Sequence, residues 1–184
     1  MLPDIDDIYI ESAFIGAPES KKDFWIGKVQ EISKGRELIP IDFYGARYLV
    51  AFLQPVTEAG DHNSLVVSVN IYADGFMPND NSRVVKFWRA DAEILPLDPS
   101  HWKLKEPTKM AAFCSTLCKA VALHAFTFAT CRQYFYLPAN EDLDRLYGKL
   151  HKKYFGTKTS AYLTFQPILK PPPDTMGFCG YERI

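Results

Sequence analysis

The sequence carries almost no net charge. Its 21 Lys and Arg residues and 22 Asp and Glu residues leave a formal net charge of −1 at pH 7. A chain so close to neutral has no global field that would steer it towards nucleic acid or an anionic membrane. Any charge-driven binding therefore has to come from a local patch of its surface.

Targeting signals and long apolar runs are also missing. The N-terminus, MLPDIDDIYI, has neither the basic start nor the apolar core of a signal peptide. The most apolar stretch, residues 110–131, is interrupted by Lys119, His124 and several hydroxyl residues, so we predict no membrane span. We expect a cytoplasmic protein with no membrane partner. Nothing in the sequence indicates an oligomeric state.

Familiar catalytic motifs are absent from the sequence. There is no Gly-rich phosphate loop, no Gly-x-Ser-x-Gly elbow and no His-Glu-x-x-His pair. Asp91 and Glu93 lie two apart on a predicted strand, so they would project from the same side and could act as an acid–base pair. A histidine (His62, His101 or His151) could join them from a distant segment. We predict no catalytic site and no cofactor, and keep a small hydrolase as the third interpretation.

The four cysteines lack the spacing of a disulfide scaffold or of a zinc knuckle. Cys114 and Cys118 lie one turn apart on a predicted helix, and Cys131 and Cys179 follow at long intervals. Structural zinc sites more commonly use a tight Cys-x-x-Cys turn. We therefore predict buried thiols and no metal site.

Strand-like segments joined by short polar turns fill the first hundred residues. They cover residues 23–32, 38–53, 65–73 and 83–95. In the second of them, Pro40 and Gly45 predict a start or a kink rather than a place inside a central ladder. Short connections of this kind favour an antiparallel meander.

Helical spacing begins at Met110, where Phe113, Leu117 and Val121 mark the apolar side of a buried helix. We predict a strand or hairpin at 125–138, a helix at 140–155, a strand at 160–169, and a C-terminal segment that either pairs as an edge strand or stays unpaired. The chain is thus expected to form a single α+β domain over residues 1–184. Its mainly antiparallel, twisted sheet would be covered on one face by two principal helices.

The segment DLDRLYGKLHKKYFGTK, residues 142–158, resembles a nucleic-acid-binding sequence at first sight. At 100° per residue, however, Tyr147 and Tyr154 fall on the leucine stripe that would pack on a core. Acids in the first turn and bases in the last are what the helix dipole favours. What remains is an exposed basic flank formed by Arg145, Lys149, Lys152, Lys153 and Lys158.

A second candidate contact is the loop that contains Phe76 and Met77. Aromatic and Met side chains exposed in a loop are suited to binding a partner. The alternative is that both side chains fold back and cover an edge of the sheet.

Four segments together resemble small uncharacterised phage and prophage proteins. They are Tyr48–Phe52, Val67–Ile71, Phe126–Phe128 and Asp144–Leu150. The resemblance implies accessory or conflict-system biology, and it carries over no functional residue.

The favoured hypothesis is a non-catalytic protein that binds another protein, such as a toxin-neutralising immunity protein or a phage accessory inhibitor. An aromatic-rich chain with an acidic start and a basic late helix could orient such a partner. The alternative is a nucleic-acid-binding protein that uses the basic flank of helix 140–155. Its affinity would then fall steeply with salt.

Overall fold

The structure is a computed structural model that describes residues 11–18, 23–55, 76, 78–90, 107–138, 141–155, 163–170 and 177–184. Within these residues, strands and helices are both present, so the predicted α+β class is confirmed. The strands are β1 (Phe24–Ile26), β2 (Gln30–Ser33), β3 (Arg36–Phe43), β4 (Ala46–Leu53), β5 (Arg83–Arg89), β6 (Gln133–Tyr136), β7 (Phe165–Leu169) and β8 (Cys179–Arg183). The two longer helices described are α1 (Pro107–Thr127) and α2 (Glu141–Leu150), a π-helical turn (His151–Phe155) continues α2, and residues 11–13 are also helical.

The described strands form one sheet in the order β1-β3-β4-β5-β6-β8-β7, and β2 also pairs with β3. β1 and β2 pair antiparallel with β3, and β6 and β7 pair antiparallel with β8. β5 and β6 pair parallel. Because the chain passes through α1 between them, it has the long crossover that a parallel pair requires. The predicted mainly antiparallel sheet is therefore confirmed.

The chain divides into two compact units. Unit 1 comprises Met1–Ala51 with Lys86–His124, and unit 2 comprises Phe52–Val85 with Ala125–Ile184. A single domain over residues 1–184 stays a prediction.

The core of unit 1 is built around Phe113 of α1. Its ring lies 5.3 Å from that of Phe43, 4.6 Å from that of Tyr48 and 6.1 Å from that of Phe87, between ring centres. Cys114, Leu117 and Cys118 are buried on the same helix. The helix predicted from Met110 onwards is thus confirmed, together with its apolar side.

Residues 38–53 form a hairpin and not the one long strand that the sequence predicts. Between β3 and β4, Tyr44 and Gly45 both have positive φ values, 55° and 84°. This combination matches a two-residue type I′ turn, whose twist suits an antiparallel hairpin. The Gly45 N–H donates a hydrogen bond to Asp42 Oδ1 at 2.8 Å, which holds the turn.

Pro40 lies buried inside β3, so the expectation that it starts or kinks a strand is wrong. Its carbonyl accepts a hydrogen bond from the Gly27 N–H at 2.9 Å. In an antiparallel pair, a residue's C=O and N–H point to the same neighbour. The missing N–H of Pro40 is therefore on the side of residues 27–29. These residues connect β1 to β2 and belong to neither strand. The same connection explains why the predicted strand at 23–32 is two short strands.

The end of α1 corrects the prediction of a strand or hairpin at 125–138. The helix continues to Thr127, and only Gln133–Tyr136 is a strand. Within unit 2, the Arg183 guanidinium donates hydrogen bonds of 2.7 Å to the carbonyls of Ala125 and Ala129. A cation that bonds the last carbonyls stabilises a helix C-terminus.

The C-terminal segment corrects a further prediction. It was expected to form an edge strand or to stay unpaired, but β8 lies between β6 and β7 and pairs with both. The unit 2 core beside it consists of Val84, Phe135 and Phe178. The predicted strand at 65–73 lies outside the described residues.

By length and composition alone, the segment Thr108–Thr127 of α1 is apolar enough to cross a membrane. Buried core helices of soluble proteins meet the same criterion. The cytoplasmic location stays a prediction.

Candidate functional site

The helical segment 141–155 packs one side on the strands of unit 2; Tyr147 of the predicted stripe takes part, whereas His151 and Phe155 were not assigned to that stripe. Three of its rings contact strand rings at centre-to-centre distances of 4.5, 4.1 and 4.9 Å. Rigid aromatic contacts of this kind fix both the position and the rotation of a helix. The pairs are Tyr147 with Tyr136, His151 with Tyr181, and Phe155 with Phe165.

The opposite side of the same segment carries four exposed cations, which we call the basic face: Arg145, Lys149, Lys152 and Lys153. Arg145 donates a hydrogen bond to Glu141 Oε2 at 3.0 Å, an i,i+4 ion pair within the helix. An exposed pair of this kind contributes only a few tenths of a kcal/mol, about 0.3–0.5. Lys158, predicted to belong to the same surface, lies outside the described residues.

Beneath the basic face lies a polar cluster formed by Tyr136, Asp144, His151, Cys179 and Tyr181. The Tyr181 ring stacks with two others, at 5.8 Å from the Tyr136 ring and 4.1 Å from the His151 ring. The two tyrosine hydroxyls are 3.4 Å apart. The Cys179 thiol donates to Asp144 Oδ1 at 3.6 Å. Strand and helix are thus joined by hydrogen bonds as well as by rings.

Burial favours the neutral forms of four side chains of the polar cluster: Tyr136, His151, Cys179 and Tyr181. Burial raises the pKa of Cys179 to about 11, although the hydrogen bond with Tyr136 opposes this shift. Burial also raises the pKa values of Tyr136 and Tyr181. The pKa of His151 is lowered by burial, and its Nε2–H donates to the Phe165 carbonyl at 3.0 Å. A neutral thiol is a poor nucleophile, so the cluster is better suited to holding the helix than to covalent catalysis.

The predicted buried thiols are confirmed. All four cysteines are free and buried. Burial raises the pKa of Cys118 to about 12, with a smaller contribution from Cys114. In the part of the chain that the structure describes, no group of three or more His, Cys, Asp or Glu side chains could hold a metal ion.

Phe76 is half-buried in unit 2 rather than presented on a loop. Its ring lies 5.8 Å from the Phe135 ring and packs against the Val84–Phe135–Phe178 core. This placement matches the alternative in which the side chain folds back on the sheet. Met77 lies outside the described residues, and a partner-binding role for either side chain stays a prediction.

Most of the candidate acid–base residues lie outside the described part of the chain. Asp91 and Glu93 lie outside it, as do His62 and His101. His151 is described, and it belongs to the polar cluster.

A buried acid–base pair in unit 1 was not predicted from the sequence. Glu37 Oε2 of β3 and His124 Nε2 of α1 lie 3.3 Å apart, with side chains 1% and 0% exposed. The two residues are separated by 87 positions in the chain, so no local pattern could reveal the contact.

An aromatic–lysine surface in unit 1, formed by Phe24, Tyr44, Lys109 and Lys119, was also missed. The Lys119 ammonium lies 5.1 Å from the centre of the Phe24 ring, and the Lys109 ammonium lies 5.9 Å from that of Tyr44. Such distances are typical of cation–π contacts. The pairing depends on the sheet bringing three distant segments together.

Comparisons with protein-family models, with curated proteins and with solved structures found no match. The resemblance to phage and prophage proteins therefore stays a prediction.

Proposed function

We propose that this protein is a non-catalytic binding protein that contacts an acidic surface of a partner protein through its basic face. The observation that carries the proposal is the arrangement of Arg145, Lys149, Lys152 and Lys153. All four are exposed on successive turns of a helix whose opposite side is fixed to strands. Oppositely charged surfaces steer encounter and set the orientation of a complex.

Rigid presentation of the cations supports this role. The Asp144–Cys179 hydrogen bond holds one turn of α2, and the His151–Phe165 hydrogen bond holds the π-helical turn. A contact surface on a fixed backbone loses less conformational entropy on binding than one on a loop. π-Helical turns are rare, and they occur frequently at functional sites.

The placement of the helix tyrosines favours protein over nucleic acid as the partner of this face. Tyr147 packs edge-on against Tyr136, and Tyr154 is half-buried beside the Lys153 ammonium. Single-stranded nucleic acid needs aromatic rings exposed next to the cations, so that bases can stack. Carboxylates need only the cations, with which they form charge-assisted hydrogen bonds.

The non-catalytic part of the proposal is supported by the polar cluster. Burial raises the pKa values of its thiol and phenols, so at pH 7 they stay protonated and no thiolate or phenolate nucleophile is ready there. The most specific form of the proposal is an inhibitor, either a toxin-neutralising immunity protein or a phage accessory protein.

Charge reversal tests the proposal directly. The test uses a partner protein that wild type captures and that also binds wild type when both proteins are purified. A Lys149→Glu/Lys152→Glu/Lys153→Glu variant should no longer bind this partner. A Lys28→Glu/Lys34→Glu variant, altered at exposed lysines of unit 1, is the matched control and should keep the partner. Undiminished binding by the triple variant would contradict the proposal. The nucleic-acid alternative would be supported instead if wild type bound oligonucleotides in a salt-sensitive manner and the triple variant did not bind them.

A further inference from the structure

The aromatic–lysine surface of unit 1 is not used by the proposed function. We propose that it binds a short segment of single-stranded nucleic acid. Bases would stack on Phe24 and Tyr44, and phosphates would pair with Lys109 and Lys119. This inference concerns unit 1 alone and does not depend on the role of the basic face.

The two exposed rings flank a buried one. Phe24 pairs with Phe43 in the β1–β3 register, and Tyr44 follows Phe43 in the chain. The Tyr44 N–H donates to the Asp23 carbonyl at 3.0 Å, which keeps the hairpin turn beside the start of β1. Phe43 packs beneath α1, whereas Phe24 and Tyr44 remain 41% and 37% exposed. Both rings therefore lie at the same end of the β1–β3 pair.

Each exposed ring has its own cation from α1. Lys119 accompanies Phe24, and Lys109 accompanies Tyr44. At a rise of about 1.5 Å per residue, the ten positions between the lysines span roughly 15 Å of helix. A base stacked on either ring would place its phosphate near an ammonium group. Proteins that bind single strands without sequence preference combine these same two elements, stacking platforms and cations.

The backbone of Tyr44 is an independent observation. Its φ of 55° places it at the first central position of a type I′ turn. That position favours Asn, Asp or Gly, and a bulky side chain there is strained. The Tyr44 ring packs edge-on against Phe43 at 4.7 Å between ring centres, but 37% of the residue stays exposed, so burial offsets only part of the strain. A tyrosine kept where asparagine fits better points to a use of the ring outside the fold.

Nucleic acid fits this surface better than an acidic peptide does. Both ligands would pair with Lys109 and Lys119. Nucleic acid presents flat, repeated π-faces that match two exposed rings at the same end of the β1–β3 pair. The basic face of α2 shows the opposite combination, with cations exposed and Tyr147 packed inward.

The test is fluorescence anisotropy with a labelled oligothymidylate of about ten nucleotides, at low salt, using the full chain. The Tyr44→Asn variant removes the ring and should weaken binding roughly tenfold, the usual range for one stacked base, while its Tm stays equal or rises. Phe24→Leu keeps the apolar bulk and should weaken binding similarly. Phe126→Leu, at an exposed ring elsewhere, is the matched control and should bind as wild type. With two phosphate contacts, log K should fall with log salt with a slope of about −1.4.

Three results would overturn the inference. The first is the absence of saturable oligonucleotide binding by the wild-type protein. The second is wild-type affinity in Tyr44→Asn, which decides the matter even if Phe24→Leu fails to fold, and the third concerns an acidic peptide. Should polyglutamate bind in place of the oligonucleotide and lose affinity in Lys109→Glu/Lys119→Glu, the surface belongs to an acidic protein and the inference is wrong.

Discussion

Glu37 and His124 form an acid–base contact in the core of unit 1, with 3.3 Å between Oε2 and Nε2. Glu37 belongs to β3 and His124 to α1, so the contact ties a helix to the strand below it. Both side chains are withdrawn from water, and their interaction offsets part of the cost of that burial.

Breaking this contact should destabilise the fold strongly. We expect His124→Leu or Glu37→Met to lower the free energy of unfolding by about 3–5 kcal/mol, because each removes one side of a buried polar contact. The double variant Glu37→Met/His124→Leu should recover much of that loss, since two apolar side chains can pack together. Urea denaturation measures all three. Glu31→Gln, at an exposed position of β2, is the control, and single variants as stable as this control would contradict the expectation.

The Glu37–His124 contact also shows where sequence reasoning stops. The apolar side of α1 could be predicted because Phe113 and Leu117 repeat within one helix, at a local period. The pairing of Glu37 with His124 depends on which strand α1 covers. A lone glutamate in an apolar strand has no sequence signal for a partner 87 residues away.

The order of the strands in the sheet likewise could not be predicted from local sequence patterns. The basic face of α2 could be predicted because helical periodicity alone separates Lys149 from Tyr147. The position of β8 between β6 and β7 could not, because a short segment near the C-terminus pairs equally well at an edge. The hairpin at Tyr44–Gly45 was missed because tyrosine is not a usual residue at that turn position.

Two glycines provide a matched pair of predictions about packing. A Cβ at Gly27 would lie 2.6 Å from Pro40 Cγ and 2.7 Å from the Trp25 ring, whereas a Cβ at Gly148 would meet nothing within 4 Å. Gly27→Ala should therefore destabilise the protein by about 1–3 kcal/mol. Gly148→Ala, inside α2, should stabilise it by up to about 1 kcal/mol. Thermal unfolding of both variants tests the two predictions. A Gly27→Ala variant as stable as wild type would contradict the close packing of Gly27 against Pro40 and Trp25.

His151 should contribute to the loss of stability in acid. Its folded pKa lies below the ordinary 6.5, chiefly because of burial and also because of Lys152, while the hydrogen bond to Phe165 opposes the shift. The unfolded chain therefore takes up the proton first, and stability falls as the pH drops below 6.5 towards the folded value. His151→Gln keeps an amide N–H for the Phe165 carbonyl but cannot titrate.

The measurement for His151 is the urea concentration at the midpoint of unfolding, determined at pH 7.5 and at pH 5.5 for wild type and for His151→Gln. We expect a smaller change in His151→Gln than in wild type, because the other titrating groups are common to both proteins. Equal changes would show that His151 does not respond to pH in this way.

The central claim, protein binding through the basic face, is tested most directly by site-specific photo-crosslinking in the cells that naturally make the protein. A photoreactive amino acid placed at Lys149 should crosslink to a discrete partner protein, and the same group at Lys28 in unit 1 should not. The crosslink should disappear when Lys152 and Lys153 are reversed to Glu. No protein crosslink at Lys149, or the same crosslinks from both positions, would contradict the account.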